Sequence, residues 1–286
     1  MDTLFTGIGI GPLGVNVLEH LYNRGMHDLT AIACLTDSDQ LRASFLPNKV
    51  VLTGDESGSS LTDALQPMIG SSELVFIVAD LNEPNTSRAV LQTAGLVHSL
   101  NRLSVAIIPL SIDFPEADST PLDELDHLCD GLIAFAPSDS GDDLQFHQMT
   151  KAIEGLADLC RHNLGMVDFE DIRYVMRGMG RGAVVDEKAT GENRCEAVLE
   201  KAFRQLEACA FDVTRIDRVL MQLSYSPHSP LLMREQRTLT QGLLDHIGSD
   251  PRLFKVAYLS DSKLDDQIRL TVLLWAPMND SGPTVQ

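Results

Sequence analysis

The sequence predicts an α/β protein: a doubly wound, mostly parallel sheet domain, a connecting helix, and a second α+β domain. Three observations predict it. Short, nearly continuous apolar runs alternate with helical stretches through the first half. Near residue 145 the pattern changes to long amphipathic helices followed by strands of alternating character. The 286 residues, 44% apolar and 22% charged, suit roughly two folded domains at ~100–200 residues each.

Taken in order, Leu4–Ile10, Leu29–Leu35, Leu74–Ala79, Val105–Leu110 and Leu132–Phe135 have the composition of parallel strands covered on both faces. Val15–Asn23, Leu61–Met68, Ala89–Leu100 and Leu122–Cys129 fall between them as helices. Strand and helix repeated four times is the doubly wound pattern. Phe146–Arg161 reads as one helix, with Met149, Ala152, Ile153 and Leu156 on a single face. Glu192–Glu207 is another, apolar at Cys195, Val198, Leu199, Ala202, Phe203 and Leu206. Later, Val219, Met221, Leu223 and Tyr225 face one way while Gln222 and Ser224 face the other. Ile268, Leu270, Val272 and Leu274 repeat this beside Arg269 and Thr271, so this sheet should have two unlike faces. The expected divisions are a Rossmann-type domain at 1–145, a connecting helix at 146–162, an α+β domain at 163–276 and a short polar tail at 277–286.

Composition excludes several function classes. Lys plus Arg total 22 against 41 Asp plus Glu, a formal charge of −19. That surface repels nucleic-acid phosphates and anionic membranes, so neither is expected as a partner. Met1–Leu4 carries no basic region, and no apolar run approaches the ~18 residues of a membrane span. Five scattered cysteines without a CxxC read as reduced thiols, and the expected location is cytoplasmic. No HExxH or Cys/His cluster offers a metal site.

The first strand runs into Gly7-Ile8-Gly9-Ile10-Gly11-Pro12-Leu13-Gly14, with a helix expected near Val15. Gly9, Gly11 and Gly14 satisfy G-x-G-x-x-G, whose bare backbone lets N–H groups approach phosphate oxygens. Asp37 follows the second strand, 23 residues beyond Gly14, where a dinucleotide fold keeps its ribose-binding carboxylate. These residues allow an NAD-type oxidoreductase, or a tight strand-to-helix turn without ligand. No His/Asp, Lys/Tyr or Cys/His grouping marks a hydride-transfer site.

The second half points elsewhere. Leu164-Gly165-Met166-Val167-Asp168-Phe169-Glu170-Asp171-Ile172-Arg173-Tyr174-Val175-Met176, then Gly178-Met179-Gly180, resembles the FtsZ branch of the tubulin superfamily, with its N-x-D-F-x-D-V-x-x-V-M segment and Met-Gly pair. Ala189-Thr190-Gly191-Glu192-Asn193-Arg194 is similar to the family's A-S-G-E-x-R. Asp261 to Val272 resembles its aspartate-rich turn and last strand. In the first half, Gly9–Leu18 aligns with the family's first glycine loop, Asn16 with its Asn, and Leu35-Thr36-Asp37 with its N-T-D. The resemblance spans nearly the whole chain.

It implies a GTP or GDP pocket whose residues are only partly kept. Gly9, Gly11, Gly14, Asn16 and Asp37 remain as the nucleotide-loop remnant. The family's G-G-G-T-G-T-G loop is replaced by Asn82-Glu83-Pro84-Asn85-Thr86-Ser87-Arg88, without a glycine. Pro84 cannot donate an N–H, and a carboxylate ~4 Å from phosphate costs roughly 4 kcal/mol at an effective dielectric of ~20, or ~1000-fold in affinity. Leu35 and Ser138 stand at family asparagines, and Gly54–Ser60 is acidic where the family has a Gly/Ala-rich phosphate loop. The resemblance assigns Asp168 and Asp171 to a catalytic loop that acts in trans on a neighbouring subunit, with Met166 replacing the family's Asn. Asp168 also reads as an N-cap, with Asp171 in a capping-box-like position. The expected function is therefore a cell-division-type cytoskeletal protein with a degenerate GTP site. It would act through head-to-tail contacts with an FtsZ-type protein or itself, as a filament cap, modulator or nucleotide-independent assembler. A divergent working GTPase and, more distantly, the NAD-type oxidoreductase are the alternatives. No cofactor is expected unless the pocket holds GTP or GDP. Residues 277–286 are too short for the family's linker and membrane-adaptor peptide, so no direct membrane insertion is expected.

Overall fold

The computed structural model describes residues 4–53, 59–70, 72–82, 84–110, 120–136, 142–161, 169–176, 180–209, 212–248 and 250–277. Backbone contacts divide the chain into two units, Met1–Ile153 and Glu154–Gln286.

In the first unit the order is β1 (Phe5–Ile10), α1 (Gly11–Asn23), β2 (Leu29–Leu35), α2 (Ser38–Ala43), β3 (Asn48–Val51), α3 (Ser59–Ile69), β4 (Leu74–Ala79), α4 (Pro84–Ser99), β5 (Leu103–Pro109), α5 (Thr120–Leu128) and β6 (Gly131–Phe135). Helix α6 (Asp142–Arg161) follows and carries the chain past the unit boundary. The strands lie in the order β3-β2-β1-β4-β5-β6, all parallel. Every residue of β1, β4, β5 and β6 is buried, the condition for strands covered on both faces. The chain builds outward from β1 to β3, then returns to the other side of β1 at β4. That reversal places a topological switch point between the carboxyl ends of β1 and β4, where open α/β sheets bind ligands. Short β3 is an edge strand, and no clear apolar run announces it.

In the second unit, α7 (Phe169–Met176) precedes β7 (Gly180–Ala189), α8 (Arg194–Glu207), β8 (Arg218–Tyr225), α9 (Met233–Ile247), β9 (Leu253–Ser260) and β10 (Ile268–Pro277). The strands order as β7-β10-β8-β9, with β10 antiparallel to both neighbours and β8 parallel to β9. The alternation in β8 and β10 is present, but the polar face is covered too: Gln222, Ser224 and Thr271 are buried. The second half of α6 lies on that face. Gly155 permits the approach, since a Cβ there would sit 2.9 Å from Val184 Cγ1 and 3.1 Å from Asp186 Cβ. Arg269 on that face donates to both oxygens of Asp186, which also accepts the Thr271 hydroxyl, and pairs with Asp158 of α6. Opposite Trp275 in the β7–β10 register stands Gly182, where a Cβ would meet the indole at 2.4 Å.

Candidate functional site

The switch point between β1 and β4 is where the glycine motif lies, and its glycines answer to neighbouring protein. Helix α1 starts at Gly11, directly after β1, rather than near Val15; Pro12 in its first turn suits that early start. A Cβ on Gly14 would lie 2.0 Å from the carbonyl oxygen of Val78 on β4, and one on Gly9 would lie 2.5 Å from the Gly14 carbonyl oxygen. Gly11 has φ +77°, which favours glycine. Over it sits Thr86 of α4, 96% shielded from solvent, its hydroxyl 3.2 Å from where a Gly11 Cβ would be.

The β4–α4 turn is closed by its own side chains. Asp80 Oδ1 accepts the Asn82 N–H at 3.0 Å, and the Ser87 hydroxyl donates to the Leu81 carbonyl at 2.6 Å. A backbone donor that a phosphate cradle would offer is thus occupied. Arg88 is exposed and pairs with no described residue.

Asp37 caps α2, its Oδ1 accepting from Asp39 N–H at 2.8 Å and Gln40 N–H at 3.2 Å. Asn16 is exposed on α1 and bonds to no described residue. Leu35 is buried at the end of β2. Gln145 of α6, unremarked in the sequence, donates to the carbonyls of Leu110 and Ala136 where β5 and β6 end. In sequence, the segments joining strand to following helix carry one carboxylate after β2, two after β3, two after β4, three after β5 and one after β6, with no Lys or Arg in any of them.

In the second unit, Asp171 lies in the first turn of α7 and forms an ion pair with Lys255 of β9. Sequence reasoning missed Lys255, because a partner 84 residues away leaves no local signal. Asp168, Met166, Glu83, Ser138 and residues 54–58 lie outside the described residues. The A-T-G-E-N-R segment is explained by Arg194. This nearly buried guanidinium donates to both Glu235 oxygens, to Ser229 Oγ, and to the carbonyls of Pro230 and Asp266. Glu235 also accepts the Leu232 N–H at the start of α9, and hydrogen bonding to Arg194 holds its carboxyl below the ordinary 4.5. Among the described residues no group of three His, Cys, Asp or Glu could hold a metal ion, and no helix is long and apolar enough to cross a membrane.

No family model matches the chain. A curated relative, cell division protein FtsZ of Wigglesworthia glossinidia brevipalpis, aligns over 319 positions at 22% identity, covering 100% of this chain and 82% of the relative. The empty FtsZ dimer of M. jannaschii superposes with TM-score 0.78 at 17% identity, covering 99% of this chain and 95% of that one. The chain is similar to FtsZ along its whole length and has the FtsZ/tubulin fold. The fold also matches CetZ2 from Haloferax volcanii, solved as a GTPgS-bound protofilament, with TM-score 0.73, 15% identity and coverage of 97% and 94%. The FtsZ/tubulin fold therefore extends through both units, and at the switch point Thr86 lies beside Gly11.

Proposed function

We propose that this FtsZ-like protein has a degenerate guanine-nucleotide site and acts in a cell-division-type cytoskeleton through protein contacts rather than GTP turnover. The observation that carries this reading is Thr86, packed on Gly11 at the switch point where a ligand's phosphate would need bare backbone. The hydrogen bonds within the β4–α4 turn act in the same direction, as do the carboxylates of Asp37 and Asp80, which follow β2 and β4 and oppose an anionic ligand.

A working GTPase remains the second reading. The retained Gly9, Gly11 and Gly14, and an α1 first turn with no acidic residue, favour it. Asp168 and Asp171 would then be catalytic in trans. The Lys255 ion pair argues for a structural role for Asp171, because a neutralised carboxylate is a poorer orienter of water.

Calorimetric titration of GTP, GDP and NAD into the purified chain tests the proposal, with no binding heat expected from any of them. Micromolar GTP affinity with turnover overturns it in favour of the GTPase, and NAD binding revives the oxidoreductase. Contact with an FtsZ-type partner is expected to use the α7 face, so Asp168→Ala plus Asp171→Ala should reduce co-sedimentation. Unchanged co-assembly would show that the contact lies on another face.

A further inference from the structure

Two histidines meet where helix α1 faces helix α6. His20, in the last turn of α1, is half-buried, and His147 of α6 is exposed. Their ring centres lie 6.4 Å apart, with 37° between the planes. Phe146 stands edge-on to His20, 5.3 Å away at 81°, which limits the orientations open to that imidazole. Neither imidazole makes a hydrogen bond to any described residue. Asn16, one turn before His20 on the same side of α1, leaves its amide equally unbonded. All three residues belong to the first unit, whose residues 1–153 hold 21 acidic and 6 basic residues, net −15.

We propose that His20 and His147 bind a late first-row divalent cation, of the Zn²⁺ type, with the Asn16 amide oxygen available as a third donor. Imidazole nitrogen suits zinc, copper and nickel, whereas Mg²⁺ and Ca²⁺ take oxygen ligands. With metal–nitrogen bonds of ~2.0–2.1 Å, two imidazoles on one ion have ring centres ~5–6.5 Å apart, less as the angle between them closes. The separation of 6.4 Å lies at the wide end of that range, and exposed His147 has room to turn inward. The acidic field of the unit raises the local concentration of cations. Two imidazoles fall short of the three-residue groups absent among the described residues, so the ion keeps positions open to water and exchanges readily. Bound there, it ties α1 to α6. The site goes beyond the protein-contact reading and does not depend on it.

Calorimetric titration of Zn²⁺ alone into the untagged, metal-free full chain tests the proposal, with one saturable micromolar site expected. His20→Gln and His147→Gln should each weaken that site by at least about tenfold. His98→Gln, at an exposed histidine of α4, should leave it unchanged. His147 is exposed, so His147→Gln should keep the metal-free melting profile even where His20→Gln, losing its contact with Phe146, lowers it. With Cu²⁺ alone as the probe, electron paramagnetic resonance should count two nitrogen ligands in the wild-type chain and one in either variant. Mg²⁺ in large excess should not displace Zn²⁺. No saturable binding, an unaffected His147→Gln variant, a single nitrogen ligand in the wild-type chain, or displacement by Mg²⁺ would each overturn the proposal.

Discussion

Gly14 and Gly95 carry the same side chain and opposite expectations. A Cβ at Gly14 would drive into the Val78 carbonyl, backbone against backbone, with no side chain free to move aside. Gly14→Ala should cost about 3 kcal/mol or more in urea denaturation, as overpacking against a fixed wall does. Gly95, in α4, has nothing within 4 Å of an added Cβ. Gly95→Ala should stabilise by about 1 kcal/mol through helix propensity alone. Arg194 is the residue where pH enters. Its hydrogen bond to Glu235 depresses that carboxyl, so the stabilisation is fully present above the ordinary 4.5 and is lost as pH falls through the lower folded value. Arg194→Met leaves the nearly buried Glu235 with the Leu232 N–H but no cation and should cost about 3 kcal/mol at neutral pH. Denaturation midpoints measured from pH 7 downward should show a smaller fall below 4.5 in this variant than in wild type.

Among elements, the second half of α6 is fastened to β7 and β10 by Arg269, held between Asp158 and Asp186. Replacing Arg269 with Met leaves the nearly buried Asp186 with the Thr271 hydroxyl but no cation, while Asp158 keeps Arg161, and loss of about 3 kcal/mol is expected from chemical denaturation of the second unit. Helices with a wide apolar stripe, such as α8, were legible in the sequence, as were the fully buried strands β1, β4 and β5. Edge strand β3 was not, having four residues of which only Val50 is buried. Helix α9 buries only Leu239, Leu243 and Ile247, a stripe too narrow to stand out among its polar neighbours. The glycine motif was visible, but its meaning was not. Whether Gly14 makes room for phosphate or for protein depends on β4, a strand that starts 60 residues later. Likewise Asp171 could be named, while Lys255 could only be found once β9 was placed.

For the whole molecule, the imbalance of −19 sets a background of self-repulsion, concentrated in the first unit. Adding salt up to ~0.5 M should therefore raise the thermal midpoint of the chain through screening, and a fall with salt would contradict this. The five thiols are buried, and burial pushes Cys34, Cys129, Cys195 and Cys209 up to about 12, so Ellman's reagent should react only after unfolding. The small side of Gly182 leaves room for the chain's single tryptophan, Trp275, fully enclosed and with its indole nitrogen unbonded. Such an indole emits at short wavelength and is shielded from acrylamide. Since no tryptophan lies in residues 1–153, its red shift reports the melting of the second unit only, against a silent background from the first. The protein thus carries a fluorophore that, read beside far-ultraviolet dichroism, times the opening of one half against the whole.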